Sequence, residues 1–413
     1  MISLCTAGLI LLSGLVPADT RTNFRVESIR FYGNTRSKTS VIQRELRVRA
    51  GAMTTVEALL EDRAWLLRQH LFHRIELEVL PGSADSLRHV VIILQEKGTL
   101  SSTPLFRYDN RFGLSGGVEA TLDNHWGRRQ RIKAAVQGGG EPWAGLSWTL
   151  PQASGLGRLG WRLNARHDRT PYNYPDAATH FSRRRNALTL GLSRQLHRVL
   201  TLSAAAGWHQ TTVSRRGLTF SGESDESFWL GSAGLTLDTR DWPVYPRTGL
   251  FFETRFTAHQ SNATDRFFDF QCNATVHRPL FGQNIVAIQA VLNHADRSLP
   301  RAYKQHLGGG DSVRGLKSGA RAGDHIFHAT VEYRIPMLYA RHPLAGLHAG
   351  YAIVLFADAG TAWNHGVSMR HSDWVKSVGL GVHAIWDHYV LRAEYGYRGS
   401  GWGFLSAGTR VKF

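Results

Sequence analysis

Cysteine is almost missing from this chain: in 413 residues only Cys5 and Cys272 occur. If an N-terminal leader carrying Cys5 is removed, Cys272 stands alone. That excludes an intramolecular disulfide and a cysteine-based zinc site. Long apolar runs are also missing. Beyond the first segment no stretch of eighteen or more apolar residues exists, which argues against transmembrane helices. The 20 histidines form no His-x-x-x-His pair on an expected helix and no compact cluster with Asp or Glu, so neither a metal nor a cofactor is expected. Acid is scarce, with 32 Asp and Glu against 49 Lys and Arg and a net charge of +17. Between Ala177 and Gly222 there is no acid at all, yet Arg183, Arg184, Arg185, Arg194, Arg198, Arg215 and Arg216 lie there. On an exported chain such charge points to lipid phosphates or a polar lumen rather than to nucleic acid.

What is present begins with an apolar segment, Ile2 to Val16, followed by Pro17 and Ala18. This reads as a secretory signal peptide over residues 1–18. Residues 23–97 then read as a small α+β domain of order β-α-α-β-β. Phe24 to Phe31 alternates as a strand and ends at the turn pair Gly33-Asn34. Val41, Ile42 and Leu46 repeat at helical spacing. A second helix opens at Thr54-Thr55 with Glu57 as a capping-box partner. Two strands, Arg74 to Leu80 and His89 to Glu96, close the unit.

From residue 103 to 413 the pattern changes to alternating segments separated by Gly, Asn, Asp and Pro. In one of them Phe327, Ala329, Val331 and Tyr333 face one way, and His328, Thr330, Glu332 and Arg334 the other. Apolar residues on one face and charge on the other indicate a transmembrane β-barrel with a polar lumen, because a dry core does not solvate arginine. About sixteen such strands fit, an even number that lets an antiparallel barrel close. They lie near 103–109, 112–122, 129–138, 143–150, 157–167, 182–193, 198–209, 228–238, 249–259, 265–277, 284–294, 325–334, 350–358, 375–385, 388–396 and 403–413. The fold class is therefore membrane all-β: a sixteen-stranded antiparallel barrel preceded by one small α+β domain. One connection is long, residues 295–324, and holds the glycine-rich run from Gly308 to Gly319 with Val313-Arg314-Gly315 in its middle. A pliable loop carrying a single arginine suggests a cation delivered into an acidic pocket.

Enzyme-like strings carry little weight. Gly113 to Gly117 matches a nucleophile elbow but lies in an alternating strand with no helix after it. Gly155 to Gly160 matches a dinucleotide fingerprint yet precedes a strand. Ser312, in Gly310-Asp311-Ser312, has no recognisable base. No catalytic residue is expected. A barrel enzyme acting on lipid is the least favoured reading.

Taken together these residues resemble the BamA/TamA-type superfamily of outer-membrane assembly and secretion proteins. The N-terminal module resembles one POTRA domain, where family members usually carry two to five. Asp238 to Pro243, with Tyr245, Pro246 and Gly249, resembles the family's turn between strands eight and nine. Val313-Arg314-Gly315 matches its loop-six motif, and Phe356 to Gly360 its strand-thirteen motif, whose aspartate accepts that arginine. Ser406, Gly408, Val411 and Phe413 fit the C-terminal targeting signal. The resemblance implies an outer-membrane barrel with its POTRA-like domain in the periplasm. It would assist insertion, assembly or translocation of client proteins; a passive channel and a two-partner-secretion-like transporter are the alternatives. Implied partners are outer-membrane lipids including lipopolysaccharide, and unfolded clients at the POTRA-like domain and the barrel seam. The barrel is expected to be monomeric, alone or with accessory subunits. Arg314 is expected to pair with Asp358, and secondarily with Glu332, on the polar face that Glu394 shares by parity. The seam joining Thr103–Asp109 to the last strand is expected to be weak, because Pro104 removes a ladder donor and Gly401, Gly403 and Gly408 loosen the partner.

Overall fold

A computed structural model of the chain describes residues 23–69, 71–151, 159–172, 180–262, 265–341, 348–370, 373–386, 389–399 and 403–409. The leader expected at residues 1–18 lies outside them. The chain divides into two compact units, one running to Gly98 and taking in Trp126–Arg128, the other made of Thr99–His125 and the chain from Arg129 onward.

In the small unit β1 (Phe24–Tyr32), α1 (Thr39–Glu45), β2 (Met53–Thr54), α2 (Val56–Arg68), β3 (Phe72–Pro81) and β4 (Leu87–Glu96) follow in order. The sheet order is β2-β1-β4-β3, with β1 parallel and β3 antiparallel to β4. The two-residue β2 is an addition to the expected order, being too short to show a period in the sequence. Val26, Ile75, Val90 and Ile92 from the sheet meet Ile42, Leu46, Leu59 and Leu66 from the helices in one apolar core. Asp62, itself buried, accepts the Arg47 and Val48 amides at 2.8 and 3.0 Å and so ties the segment after α1 to α2. The Thr55 hydroxyl caps α2 by accepting the Ala58 amide at 3.2 Å. Glu57 therefore sits one position too early for a capping box. Its charge still lies in the first turn, where the helix dipole favours it. Gly33 has φ +82°, and a Cβ there would lie 2.0 Å from the Leu94 carbonyl oxygen, so the turn after β1 requires glycine.

The large unit is a closed barrel whose neighbours pair antiparallel all the way round. Its strands are β5 (Leu100–Asp109), β6 (Gly113–Asp123), β7 (Arg131–Gly139), β8 (Trp143–Leu150), β9 (Leu159–Tyr172), β10 (Phe181–His197), β11 (Leu200–Val213), β12 (Asp225–Asp238), β13 (Gly249–Ser261), β14 (Arg266–Pro279) and β15 (Ile285–Ala295). A connecting loop follows that contains a small hairpin, β16 (Gln305–Leu307) with β17 (Arg321–Gly323). The barrel then resumes with β18 (His325–Arg341), β19 (His348–Trp363), β20 (Val375–Trp386), β21 (Tyr389–Tyr397) and β22 (Phe404–Thr409). Several strands exceed their expected bounds. β10, expected over 182–193, runs from Phe181 to His197 because its ladder continues through polar residues that read as loop.

The wall alternates as a membrane barrel requires. Along β19, Ala352, Val354, Phe356 and Asp358 are buried inward, while Tyr351, Ile353 and Leu355 are exposed outward. On β20, Val378, Leu380 and Val382 face out, and Val375, Ser377 and His383 are buried within. Burial of the inner face has a direct cause: the connection between β15 and β18 folds into the lumen and covers it.

Candidate functional site: a loop locked inside the barrel

The loop enters through tight glycine turns. Gly308, Gly309 and Gly315 all have positive φ, and the Gly309 amide donates to the Leu316 carbonyl at 2.8 Å. Val313 packs with Leu307, Leu316, Ile326 and Val375, an apolar anchor that seats the next residue. Gly315 then lies directly on the backbone of β21. A Cβ on Gly396 would sit 2.5 Å from the Gly315 nitrogen, and one on Gly315 would sit 2.8 Å from the Gly396 carbonyl carbon. Two glycines face each other because neither backbone leaves room for a side chain.

Arg314 is 1% exposed, and its guanidinium is fully engaged by carboxylates. Nε donates to Asp358 Oδ2 at 2.9 Å and Nη2 to Asp358 Oδ1 at 2.8 Å, a bidentate pair. The Arg314 amide adds a third bond to Oδ2 at 2.8 Å, and the Thr330 hydroxyl gives a fourth to Oδ1 at 2.8 Å. Those four bonds fill the acceptor sites of the Asp358 carboxylate. Nη1 donates to both Glu332 Oε1 and Glu394 Oε1 at 2.7 Å. The guanidinium carbon also lies 3.5 Å from the Phe356 ring centroid.

The acids have further partners. Arg334 donates to Glu332 Oε2 at 2.9 Å, and Arg392 to Glu394 Oε2 at 3.2 Å. Thus Arg314, Arg334 and Arg392 balance Glu332, Asp358 and Glu394, which lets six charges stay buried together. From the opposite side, the turn between β12 and β13 delivers Tyr245. Its ring lies under Arg334, 4.8 Å away, and its hydroxyl meets His383 Nδ1 at 3.4 Å. His383 Nε2 is 3.2 Å from Glu394 Oε1, which connects that turn to the loop. Within the turn, Asp241 Oδ1 accepts the Trp242, Arg247 and Thr248 amides at 2.9 to 3.2 Å.

The loop also crosses the seam. Among the described residues β5 and β22 register only through Tyr108 with Ala407 and Arg107 with Gly408. Asp311 receives Arg107 of β5 at 2.9 Å and Arg392 of β21 at 2.6 Å. The Ser318 hydroxyl bonds Asp109 of β5, and the Arg111 guanidinium reaches the Ser318 carbonyl at 2.6 Å. Beside these contacts lies a cavity of about 550 Å³, bordered by Arg107, Glu141, Asp168, Arg185, Asp311 and Arg392.

The residues singled out from the sequence fall in two groups. Val313, Arg314, Gly315, Asp358 and Glu332 come together in the lumen. Ser406 and Gly408 lie on β22 at the seam, Ser406 against Gly310. Val411 and Phe413 lie outside the described residues. Glu394 bonds Arg314 as closely as Glu332 does, so the secondary contact is double. Arg334, Arg392, Thr330 and Asp311 were missed. The first two had a signal, since Glu332-x-Arg334 and Arg392-x-Glu394 place opposite charges on one strand face. Asp311, in an irregular loop, had none.

The sequence matches the Omp85 superfamily domain over residues 124–399. The chain belongs to the Omp85 superfamily. Solved Omp85-type structures share its fold. BamA from Haemophilus ducreyi lacking POTRA domains 1–3 aligns with a TM-score of 0.62 at 16% identity, over 94% of this chain and 84% of that one. CdiB from Escherichia coli aligns at 0.68 and 12%, covering 94% and 76%. CdiB from Acinetobacter baumannii aligns at 0.58 and 14%, covering 94% and 73%. In this Omp85 barrel the loop carrying Arg314 joins the eleventh and twelfth strands, and Asp358 stands on the thirteenth.

Proposed function

We propose that this Omp85 protein works in the bacterial outer membrane and assists the insertion, assembly or translocation of client proteins. Its small domain would stand in the periplasm as a POTRA-like unit. The observation that carries the reading is a loop of the chain's own seated in the lumen, held by buried ion pairs and bonded across the seam to β5. A passive channel needs a continuous water path, whereas here the inner faces of β18 to β21 are covered by the loop. The reading assigns no catalytic chemistry and no cofactor to the chain.

Two surfaces would meet the client. One is the open edge of the small sheet. Among the described residues β3 has one unpaired side, and β1 is bordered by β2 only at Phe24 and Arg25. An extended client segment adding to β3 would gain main-chain hydrogen bonds. The Phe24–Phe31 edge is the less open of the two, since β2 covers its start. The other surface is the seam, where a client strand would pair with β5 or β22; among the described residues two register pairs join them.

Depletion of the protein followed by a census of outer-membrane and secreted proteins tests the proposal. Loss of a defined set of barrel proteins is the expected result, and loss of one secreted protein alone would select the two-partner-secretion reading. An unchanged census, with only membrane conductance altered, would favour the channel and overturn the proposal.

A further inference from the structure

Outside the lumen, the wall formed by β6 to β11 has an unusual vertical order. Arg169 on β9 and Arg184 on β10 are direct cross-strand partners, both exposed on the outward face. Like charges opposite one another destabilise a sheet unless something neutralises them. Among the described residues no carboxylate pairs with either arginine. One step down each strand stand His167 and Asn186, hydrogen-bonded at 2.7 Å. Another step down come Ala165 and Leu188, then Leu163 and Leu190. Each step is roughly 7 Å along the strand. In the row of Leu188, Trp208 faces Trp229 on the next strand, and Trp229 is 62% exposed. Exposed tryptophans mark the level where acyl chains give way to headgroups.

Just below the arginines the outward wall is hollow. A groove of about 680 Å³ runs over the small side chains of Ala134, Ala144 and Ala165, with Val136, Leu146 and Leu188 as taller borders. Ala134 and Ala165 stand in one row on either side of Leu146, and Ala144 stands in the next row between Val136 and His167, so the groove is a property of the sheet and not of a loop.

We infer that this wall is a binding site for one phosphorylated glycolipid of the outer leaflet, lipid A, with a phosphate between Arg169 and Arg184 and an acyl chain in the groove. A phosphate oxygen pair suits two guanidinium forks and removes their mutual repulsion. The apolar groove accounts for the acyl chain, and the arginines' place above the tryptophans accounts for the headgroup. The site rests on the outer-membrane setting and not on the client reading, so the depletion census does not bear on it.

Native mass spectrometry of the full-length protein in detergent, titrated with lipid A, tests the assignment. Lipid A should bind at least tenfold more tightly than its dephosphorylated form and than phosphatidylglycerol. An Arg169→Gln/Arg184→Gln double variant should lose that preference while keeping its heat-modifiable, folded mobility. Ala144→Phe, which fills the groove and leaves both arginines, should weaken lipid A several-fold. Undiminished binding by the double variant, or equal binding of dephosphorylated lipid A or phosphatidylglycerol, would overturn the inference.

Discussion

Arg314 shows how one side chain decides the state of a long loop. It is buried with three carboxylates around it, and two other arginines keep those carboxylates neutralised. Arg314→Ala leaves acids buried without their central cation, at a cost of about 3–5 kcal/mol. The expected outcome is a lower unfolding midpoint in detergent, read by heat-modifiable gel mobility. Arg314→Lys should recover only part of that loss, because a single ammonium cannot form the fork with Asp358. The strand-thirteen motif with parity along β19 made Asp358 legible in advance, and parity along β18 made Glu332 so. That Glu394 bonds Arg314 as closely as Glu332 was not legible, because it depends on how strands several places apart curve round the lumen. In the small domain, Glu96 offers a pH test. Burial pushes its pKa up, but bonds from Ser37, from the Arg36 amide and from the Thr35 hydroxyl outweigh that and hold it below the ordinary value. A depressed carboxylate stabilises the fold at pH above its unfolded value, and that contribution is lost as pH falls through the folded one. Protection of the Arg36 and Ser37 amides, taken relative to their intrinsic exchange rates, should therefore fall as pH drops below the ordinary carboxylate range, and Glu96→Gln should remove this dependence.

The element that matters most is the loop between β15 and β18, together with β21 beneath it. Their contact at Gly315 and Gly396 is backbone on backbone. Gly396→Ala should lift the loop without altering any charge, so that limited proteolysis at Lys317 and Arg321 accelerates. Cleavage unchanged from the parent would show that the glycine contact does not seat the loop. Across the seam, Asp311 joins β5 to β21 through two arginines. A double-mutant cycle on Asp311→Asn and Arg107→Gln should give a coupling of about 0.5–3 kcal/mol in barrel stability. Alternation and turn residues placed every barrel strand in order. Their ends were less legible, since β9 to β11 carry polar residues above the apolar band while their ladders continue. The short β2 and the misplaced capping glutamate went unread for a related reason: both depend on a register that only the folded chain sets.

For the whole molecule, the barrel is a closed ring of strands with a plug supplied from within, seated on the inner faces of β18 to β21. Charge alternation along β18 announced a polar lumen, but the seating of one loop inside it did not follow from any local pattern. The plug turns a balanced cluster of six buried charges into the point that holds loop, wall and seam together. Hydrogen–deuterium exchange of residues 307–319 in the intact protein, compared with Arg314→Ala, measures this directly. The account predicts slow exchange in the parent and at least tenfold faster exchange across that segment in the variant, with β10 to β14 unchanged. Equal protection of the segment in both proteins would contradict it.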